Sequence, residues 1–166
     1  MTGSDGWRAA SWQDMWQGVL AELSKGDGTF AAVDGSAPAA EATVEAIEEQ
    51  MPDVLQVGRH LTAGDELGDV DRLFGSLVEP TLLLDLDVLF TPRLHLNVLT
   101  LLRNAARRTP IVAVWPGAIA RADAFTYSEP GRADHRSEIA RGVLVIRPRS
   151  VHFPDEPPFT IERVPS

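Results

Sequence analysis

Cysteine is absent from the 166 residues of this chain. Its absence excludes disulfide bonds and thiolate metal sites, and it gives no indication of an oxidising compartment. The N-terminal run Met1–Trp7 has neither a basic start nor an apolar core, and no apolar run approaches the ~20 residues that span a membrane. We therefore expect a cytoplasmic protein that has no contact with membranes.

Positive charge is also scarce. The formal net charge is −9, and Lys25 is the single lysine among 15 lysine and arginine residues. A domain that binds phosphate backbones on its own usually presents a basic face. Direct binding to nucleic acid is therefore unexpected, and a DNA-binding accessory role would require the arginines to gather on one surface.

The most regular part of the chain is the stretch Thr81–Tyr127. The apolar run Thr81–Phe90 is followed by a turn, a helical pattern over Leu94–Arg108 and a second apolar run, Pro110–Gly117. Continuous rather than alternating apolar runs are typical of strands that are buried on both faces of a parallel sheet. This stretch therefore predicts a strand, a helix and a second strand at the centre of the fold.

Weaker strand and helix patterns surround this unit, and a polar stretch at 121–136 and a proline-rich tail at 148–166 follow it. The order predicts one α/β domain, residues 1–166, with a mostly parallel five-stranded sheet in three layers and helices on both faces. The other expected elements are a flexible start at 1–10, helices at 11–25, Glu41–Gln50 and Val70–Leu77, strands at Thr29–Val33, Val54–Gly58 and Val143–Ile146, and an edge strand within the tail at Phe159–Val164.

The helix expected at 11–25 is amphipathic and carries Trp12 and Trp16 on its apolar stripe. Packing into the core is the commoner role of such tryptophans. A docking face for a partner is the alternative, because tryptophan is enriched at interface hot spots.

The segment Thr29–Gln50 has the layout of a phosphate-binding loop, with a strand, a glycine-bearing loop and a helix. A working loop reads G-x-x-x-x-G-K-[ST]. Starting from Gly35, the chain has Ala40 at the second glycine position and Glu41 at the lysine position. Moving the register by one residue supplies a hydroxyl from Thr43 but still no lysine.

No register supplies a cation, because no lysine or arginine lies between Lys25 and Arg59. The carboxylate of Glu41 would repel a triphosphate, and two like charges at ~4 Å cost several kcal/mol at an intermediate dielectric. The sequence thus favours a vestigial nucleotide loop, with an ordinary structural loop as the alternative. The residues of this vestigial loop are Gly35, Ser36, Ala40, Glu41 and Thr43.

Asp85 and Asp87 stand towards the end of the predicted central strand. The two-residue period of a strand would put both carboxylates on one face. In phosphoryl-transfer folds an acid at such a place holds Mg²⁺. The alternative is a pair of solvated acids at a strand end. ATP and Mg²⁺ are therefore expected only under the metal-binding interpretation, and otherwise no cofactor is expected.

The runs Leu82–Phe90 and Arg107–Gly117, with Pro92 and Leu99–Leu102 between them, resemble BrxF, the small P-loop-containing protein of BREX bacteriophage-exclusion systems. Phe125–Gly131 resembles the LTYxEPG stretch of that family, and the similarity covers residues 29–147. The family's loop ends in glycine, lysine and threonine, where this chain has alanine, glutamate and alanine.

This resemblance implies a P-loop NTPase-like fold and membership of a bacterial antiphage defence system. It also implies partners, which include a large ATPase, a DNA methyltransferase and an alkaline-phosphatase-like protein. The departure in the loop implies a degenerate Walker A motif and a pseudo-ATPase, whereas the fold assignment is unaffected.

The sequence therefore predicts a non-catalytic regulatory or scaffold subunit that acts by docking to other proteins, with a homo-oligomer also possible. The alternative is a nucleotide-binding or ATP-hydrolysing subunit that uses the two aspartates with Mg²⁺. Arg103 and Arg107 lie on one predicted helix and could reach the nucleotide of a partner protein as arginine fingers. The alternative is a solvated helix end, where arginine interacts favourably with the negative end of the helix dipole. The candidate docking residues are Trp12, Trp16, Arg103, Arg107, Trp115 and Tyr127.

Overall fold

The structure is a computed structural model that describes residues 12–62, 64–120, 124–128, 130–153 and 156–164. The expected flexible start at 1–10, the first residue of the helix expected at 11–25 and Glu129 of the 125–131 motif lie outside these residues. None of the helices in the described ranges is both long enough and apolar enough to cross a membrane.

Four α-helices and nine strands follow one another along the described chain. The helices are α1 (Trp12–Leu23), α2 (Ala40–Glu48), α3 (Leu67–Gly75) and α4 (Val98–Ala106). The strands are β1 (Ala31–Asp34), β2 (Asp53–Gln56), β3 (Thr81–Leu84), β4 (Ile111–Trp115), β5 (Ala118–Ile119), β6 (Ala124–Tyr127), β7 (Arg136–Ile139), β8 (Leu144–Pro148) and β9 (Phe159–Arg163). Short 3-10 turns occupy Val57–Arg59, Leu86–Phe90 and Pro92–Leu94.

Six strands form the main sheet, in the order β2-β3-β4-β1-β8-β9. The first five are parallel to one another, and β9 runs antiparallel to β8. The mostly parallel α/β sheet is therefore confirmed. The predicted count of five strands is wrong, because the edge strand expected within the tail is present at Phe159–Arg163 and pairs along the whole of β8 as a sixth strand.

Helices cover both faces of this sheet, and the alternation of side chains within each strand explains why. In β1, Ala31 and Val33 point to one face while Ala32 points to the other, and all three are fully buried. The first face packs against α1 and α2, and the second packs against α3 and α4. Burial on both sides explains the continuous apolar runs in the sequence.

A second sheet, with β5, β6 and β7 in antiparallel order, interrupts the chain between β4 and β8. It occupies much of the region that the sequence indicated only as a polar stretch at 121–136. Its strands are short and half exposed: the burial along β7 alternates between half-buried and exposed residues. Such strands lack the apolar run that makes a buried strand recognisable.

Candidate functional site

The carboxyl ends of the parallel strands gather the residues with the best prospects for binding. From β1 the chain crosses to β2 at one edge of the sheet, whereas after β4 it continues to β8 on the other side of β1. Adjacent strands whose connections leave in opposite directions form a topological switch point, the usual ligand crevice of an open α/β sheet. The segments that begin there are the loop after Asp34, the turn at Asp85 and the segment after Trp115.

The loop after β1 is closed by its own hydrogen bonds. The N–H of Gly35 donates to the carbonyl of Trp115 at 3.1 Å, and a β-carbon at Gly35 would overlap that same oxygen. The Ser36 N–H and hydroxyl both donate to Oδ1 of Asp34, at 3.1 and 2.6 Å. The N–H of Ala37 donates to the Asp34 carbonyl at 3.3 Å. A phosphate-binding loop needs these N–H groups to point at the ligand, and here the protein already uses them.

A cation does reach this loop, from the neighbouring strand β8. Arg147 in β8 donates from Nη1 to Oδ2 of Asp34 at 3.1 Å, and from Nε to Glu162 at 3.3 Å. It also donates to the carbonyls of Ile119 and Ala120, the latter at 3.0 Å. The side chains of Arg147 and Asp34 are only 21% and 13% exposed. The guanidinium is thus held by two carboxylates and two carbonyls, and it ties β1 to the small sheet.

The other residues of the vestigial loop lie at the start of α2. Thr43 is fully buried, and its hydroxyl donates to the Pro158 carbonyl at 3.0 Å, away from the loop. Glu41 is exposed in the first turn of α2. A carboxylate at this place interacts favourably with the positive end of the helix dipole. Ala40 is buried. Gly35, Ser36 and Glu41 therefore belong to the loop region, whereas Thr43 anchors the C-terminal segment.

The prediction that Asp85 and Asp87 share one face of a strand is wrong. Strand β3 ends at Leu84, Asp85 takes a left-handed conformation with φ of 58°, and a 3-10 turn begins at Leu86. The ladder to β4 stops at Leu83 and the ladder to β2 stops at Leu84, so no neighbouring strand holds the chain extended beyond Leu84. Aspartate tolerates the left-handed region better than most residues.

The two carboxylates consequently point to different neighbours. Asp85 lies so close to Gly58 that a β-carbon there would overlap its carboxylate. Asp87 accepts a hydrogen bond from the Tyr127 hydroxyl at 2.9 Å. Among the described residues, no group of three or more His, Asp or Glu side chains is arranged to hold a metal ion.

Aromatic rings join this turn to the small sheet. The rings of Phe90 and Tyr127 stack with centroids 3.9 Å apart and an interplanar angle of 14°. Burial, followed by the hydrogen bond to Asp87, raises the pKa of Tyr127 to about 12. Trp115 is 2% exposed, and its indole N–H donates to the Thr126 carbonyl at 2.8 Å. Trp115 is therefore a core residue rather than a docking residue, and Tyr127 is half-buried.

The arginines at the end of α4 and directly after it lie at the opposite end of the sheet. The helix ends just before β4 begins, so its last turn lies beside the amino ends of the strands. Arg103 donates to the carbonyl of Arg141, which precedes β8. Arg108 donates to the Phe74 carbonyl in the last turn of α3 at 3.2 Å. Arg107 contacts Asn104 at 3.4 Å and is exposed. None of these three contacts reaches the loop after β1.

The two tryptophans of α1 differ in exposure. Trp16 is fully buried against Phe159, with ring centroids 5.9 Å apart, so it packs in the core and presents no docking surface. Trp12 is half-buried and contacts the same phenyl ring at 6.0 Å.

No protein-family model, no curated protein and no solved structure matches this chain. The site is therefore interpreted from the chemistry of its own residues. The structure itself defines an α/β domain in which the ion pair between Asp34 and Arg147, the least exposed one within the described residues, lies at a topological switch point. The sequence signals this pair poorly, because its partners are far apart in the chain and neither belongs to a recognisable motif.

Proposed function

We propose that this chain is a non-catalytic domain of the P-loop NTPase type, in which an internal ion pair holds the place of a bound phosphate. The observation that carries the proposal is the contact between Arg147 and Asp34 at 3.1 Å, beside a loop whose N–H groups are already bonded. The domain would then act by binding other proteins rather than by hydrolysing nucleotide.

The layout of the sheet supports the first half of this proposal. In P-loop proteins a strand, a loop and a helix form the phosphate site, and an acid near the end of another strand holds Mg²⁺. Here β1, its loop and α2 have that order, and Asp85 follows β3, which is separated from β1 only by β4.

The chemistry of the loop supports the second half. A nucleotide would have to displace Arg147 from Asp34 and break the bonds of Ser36 to the same carboxylate. Charged hydrogen bonds contribute about 1.5–3 kcal/mol each, so the loss is substantial. Glu41 would add repulsion to any phosphate that entered.

The alternative is a nucleotide-binding subunit, and one observation favours it. Such a site needs a cation from elsewhere in the fold, and Arg147 is a cation that reaches the loop. In this alternative Arg147 would exchange Asp34 for phosphate when the nucleotide binds, and Asp85 would contact the Mg²⁺.

Calorimetric titration of Mg-ATP separates the two functions. We expect no heat from the wild-type protein at millimolar ATP, and none from Arg147→Met. Micromolar binding by the wild type that is lost in Arg147→Met and in Asp85→Ala would contradict the non-catalytic proposal and establish the alternative. Arg149→Met is the matched control, because Arg149 pairs with Glu156 at 3.0 Å outside the loop.

We further propose that the domain belongs to a bacterial antiphage assembly, on the strength of the resemblance of residues 82–117 and 125–131 to BrxF. Its partners would be a large ATPase, a methyltransferase and a phosphatase-like subunit. Co-expression with each of these three, followed by size-exclusion chromatography, tests this membership. Failure to form a complex with any of them would refute it and would leave the calorimetric result unaffected.

A further inference from the structure

Among the described strands, β9 forms the outer edge of the main sheet, and the ladder to β8 shows which of its backbone groups have no partner within the described residues. The Val164 N–H donates to the Val143 carbonyl at 2.9 Å, and the Arg149 N–H donates to the Pro158 carbonyl at 2.9 Å. Even-numbered residues of this segment therefore bond to β8. In an antiparallel ladder the bonding direction alternates from residue to residue. The N–H and C=O groups of the odd-numbered residues, Phe159, Ile161 and Arg163, accordingly point away from β8.

This edge is complementary to itself. An antiparallel pairing of two copies about Ile161 places Ile161 opposite Ile161, and Phe159 opposite Arg163, as hydrogen-bonded pairs. The outward N–H and C=O groups of all three residues in each copy are then hydrogen-bonded to the other copy. On the other face of the strand, Thr160 of one copy lies opposite Glu162 of the second. No like charges oppose each other, which removes the usual penalty of such a pairing.

An apolar groove continues from the edge strand to α1. It encloses about 500 Å³ and includes the side chains of Met15, Val19, Phe159 and Ile161, with Glu22 and Arg163 pairing at its rim. The groove also contains Gly18, where an added β-carbon would meet nothing within 4 Å. The groove and the edge thus form one surface that is apolar in the middle and charged at the rim.

We propose that a second copy of this chain covers this surface, with the two β9 strands paired antiparallel about a two-fold axis at Ile161. Natural proteins normally cover, twist or charge an open edge strand because it invites pairing with another chain. A two-fold axis is the commonest symmetry of homo-oligomers, and it requires a self-complementary surface. The result would be one continuous twelve-stranded sheet, with the two α1 helices facing each other across the axis. This dimer does not depend on whether nucleotide binds.

Light scattering coupled to size-exclusion chromatography, over a range of protein concentrations, tests the proposal. The wild type should approach twice its mass of 18.0 kDa as the concentration rises. Gly18→Arg fills the groove with a charge and improves helix propensity, so it should weaken the dimer without unfolding the chain. Gln17→Arg is the matched control, because Gln17 is exposed on α1 and lies outside the groove.

A second variant tests the strand register itself. Thr160→Glu places two carboxylates opposite each other across the dimer, whereas within one chain position 160 pairs with Arg147. Because the symmetry repeats the change, we expect dimer dissociation to become easier by about tenfold. Circular dichroism should show both variants folded. A wild type that stays monomeric at every concentration would overturn the proposal, as would a dimer that resists both Gly18→Arg and Thr160→Glu.

Discussion

The two buried tryptophans show how the same residue type can have different polar surroundings. The indole N–H of Trp115 donates to the Thr126 carbonyl at 2.8 Å. Among the side chains that the structure describes, the buried indole N–H of Trp16 has no hydrogen-bond partner. A buried donor without a partner costs roughly 1–3 kcal/mol, so apolar packing alone must hold Trp16 in place.

Replacing each tryptophan by phenylalanine should therefore have unequal effects. Trp115→Phe loses a hydrogen bond and leaves the carbonyl of Thr126 with one partner fewer. Trp16→Phe loses volume but also removes the unpaired donor. We expect Trp115→Phe to lower the free energy of unfolding by at least ~1 kcal/mol more than Trp16→Phe. Urea denaturation of the two variants measures this difference, and equal losses would contradict the assigned polar environments.

Tyr127 is the single tyrosine of the chain, so its ionisation can be followed without interference from another tyrosine. Its pKa is raised from 10.0 to about 12 in the folded state by burial and then by the hydrogen bond to Asp87. The folded state thus keeps a proton that the unfolded state releases. The stabilisation is fully present below pH 10 and is lost as pH rises towards 12.

Absorbance of the tyrosinate band should accordingly titrate near 12 in the folded protein and near 10 in denaturant. Asp87→Asn should lower the midpoint in the folded protein, because it removes the negative charge that accepts the hydrogen bond of the Tyr127 hydroxyl. Asp134→Asn should move it less, since Asp134 is a weaker cause of the shift. An unchanged midpoint in Asp87→Asn would show that the hydroxyl does not face that carboxylate.

At the scale of elements, strand β9 of the proline-rich tail packs into the core. Phe159 is fully buried beneath Trp12 and Trp16, whereas Phe153 of the same tail is 70% exposed. The hydroxyl of Thr43 further fixes the tail through the Pro158 carbonyl at 3.0 Å. The tail is therefore a structural element rather than a loose extension.

Alanine substitution of the two phenylalanines tests this role. Phe159→Ala should destabilise the fold by about 3–5 kcal/mol, the usual cost of emptying a buried aromatic site. Phe153→Ala should change the stability by less than about 0.5 kcal/mol, since it lies on the surface. Thermal or urea unfolding of both variants gives the comparison. Similar values for the two would mean that β9 is not docked as the structure shows.

How far the elements could be predicted depended on their burial. Four of the parallel strands, β1, β3, β4 and β8, are largely buried, so each leaves a continuous apolar run that the sequence reveals. The edge strand β2 is only half-buried. The run Thr81–Phe90 predicted too long a strand for the same reason. Its apolar residues continue into a 3-10 turn, where Leu86, Leu89 and Phe90 are buried without a strand partner. A run of apolar residues predicts that a segment is buried. Whether its backbone is an extended strand depends on pairing with a neighbouring strand.

The candidate site was less predictable than the fold. The sequence correctly indicated that no lysine or arginine of the loop itself could supply a cation. It could not place Arg147 beside Asp34, because that contact spans 113 residues and depends on β8 pairing with β1. The hydrogen bond of the Gly35 N–H likewise depends on the Trp115 carbonyl, which only the pairing of β1 with β4 brings into reach.

For the whole molecule, Arg147 adds a polar connection between two sheets that also share apolar contacts, among them the packing of Trp115 against Phe125. It bonds Asp34 of the main sheet and the carbonyls of Ile119 and Ala120 beside the small sheet. Strand β1 has hydrogen-bonded neighbours on both sides and is fully buried, whereas the edge strand β7 carries Ile139 at 67% exposure. Regions with fewer buried contacts open at a lower free energy than the core.

We therefore expect amide hydrogen exchange to divide the protein into two units. Amides of β6 and β7 should exchange through an opening that costs less than global unfolding, whereas those of β1 and β4 should require global unfolding. Arg147→Met should lower the opening free energy of the small sheet by about 2 kcal/mol, because it removes charged hydrogen bonds. Arg149→Met, which breaks only the partly exposed pair with Glu156, should leave it nearly unchanged. If β1 and β6 exchanged with one free energy and one denaturant dependence, the two sheets would form a single cooperative unit, and Arg147 would be a brace within it rather than a connection between two units.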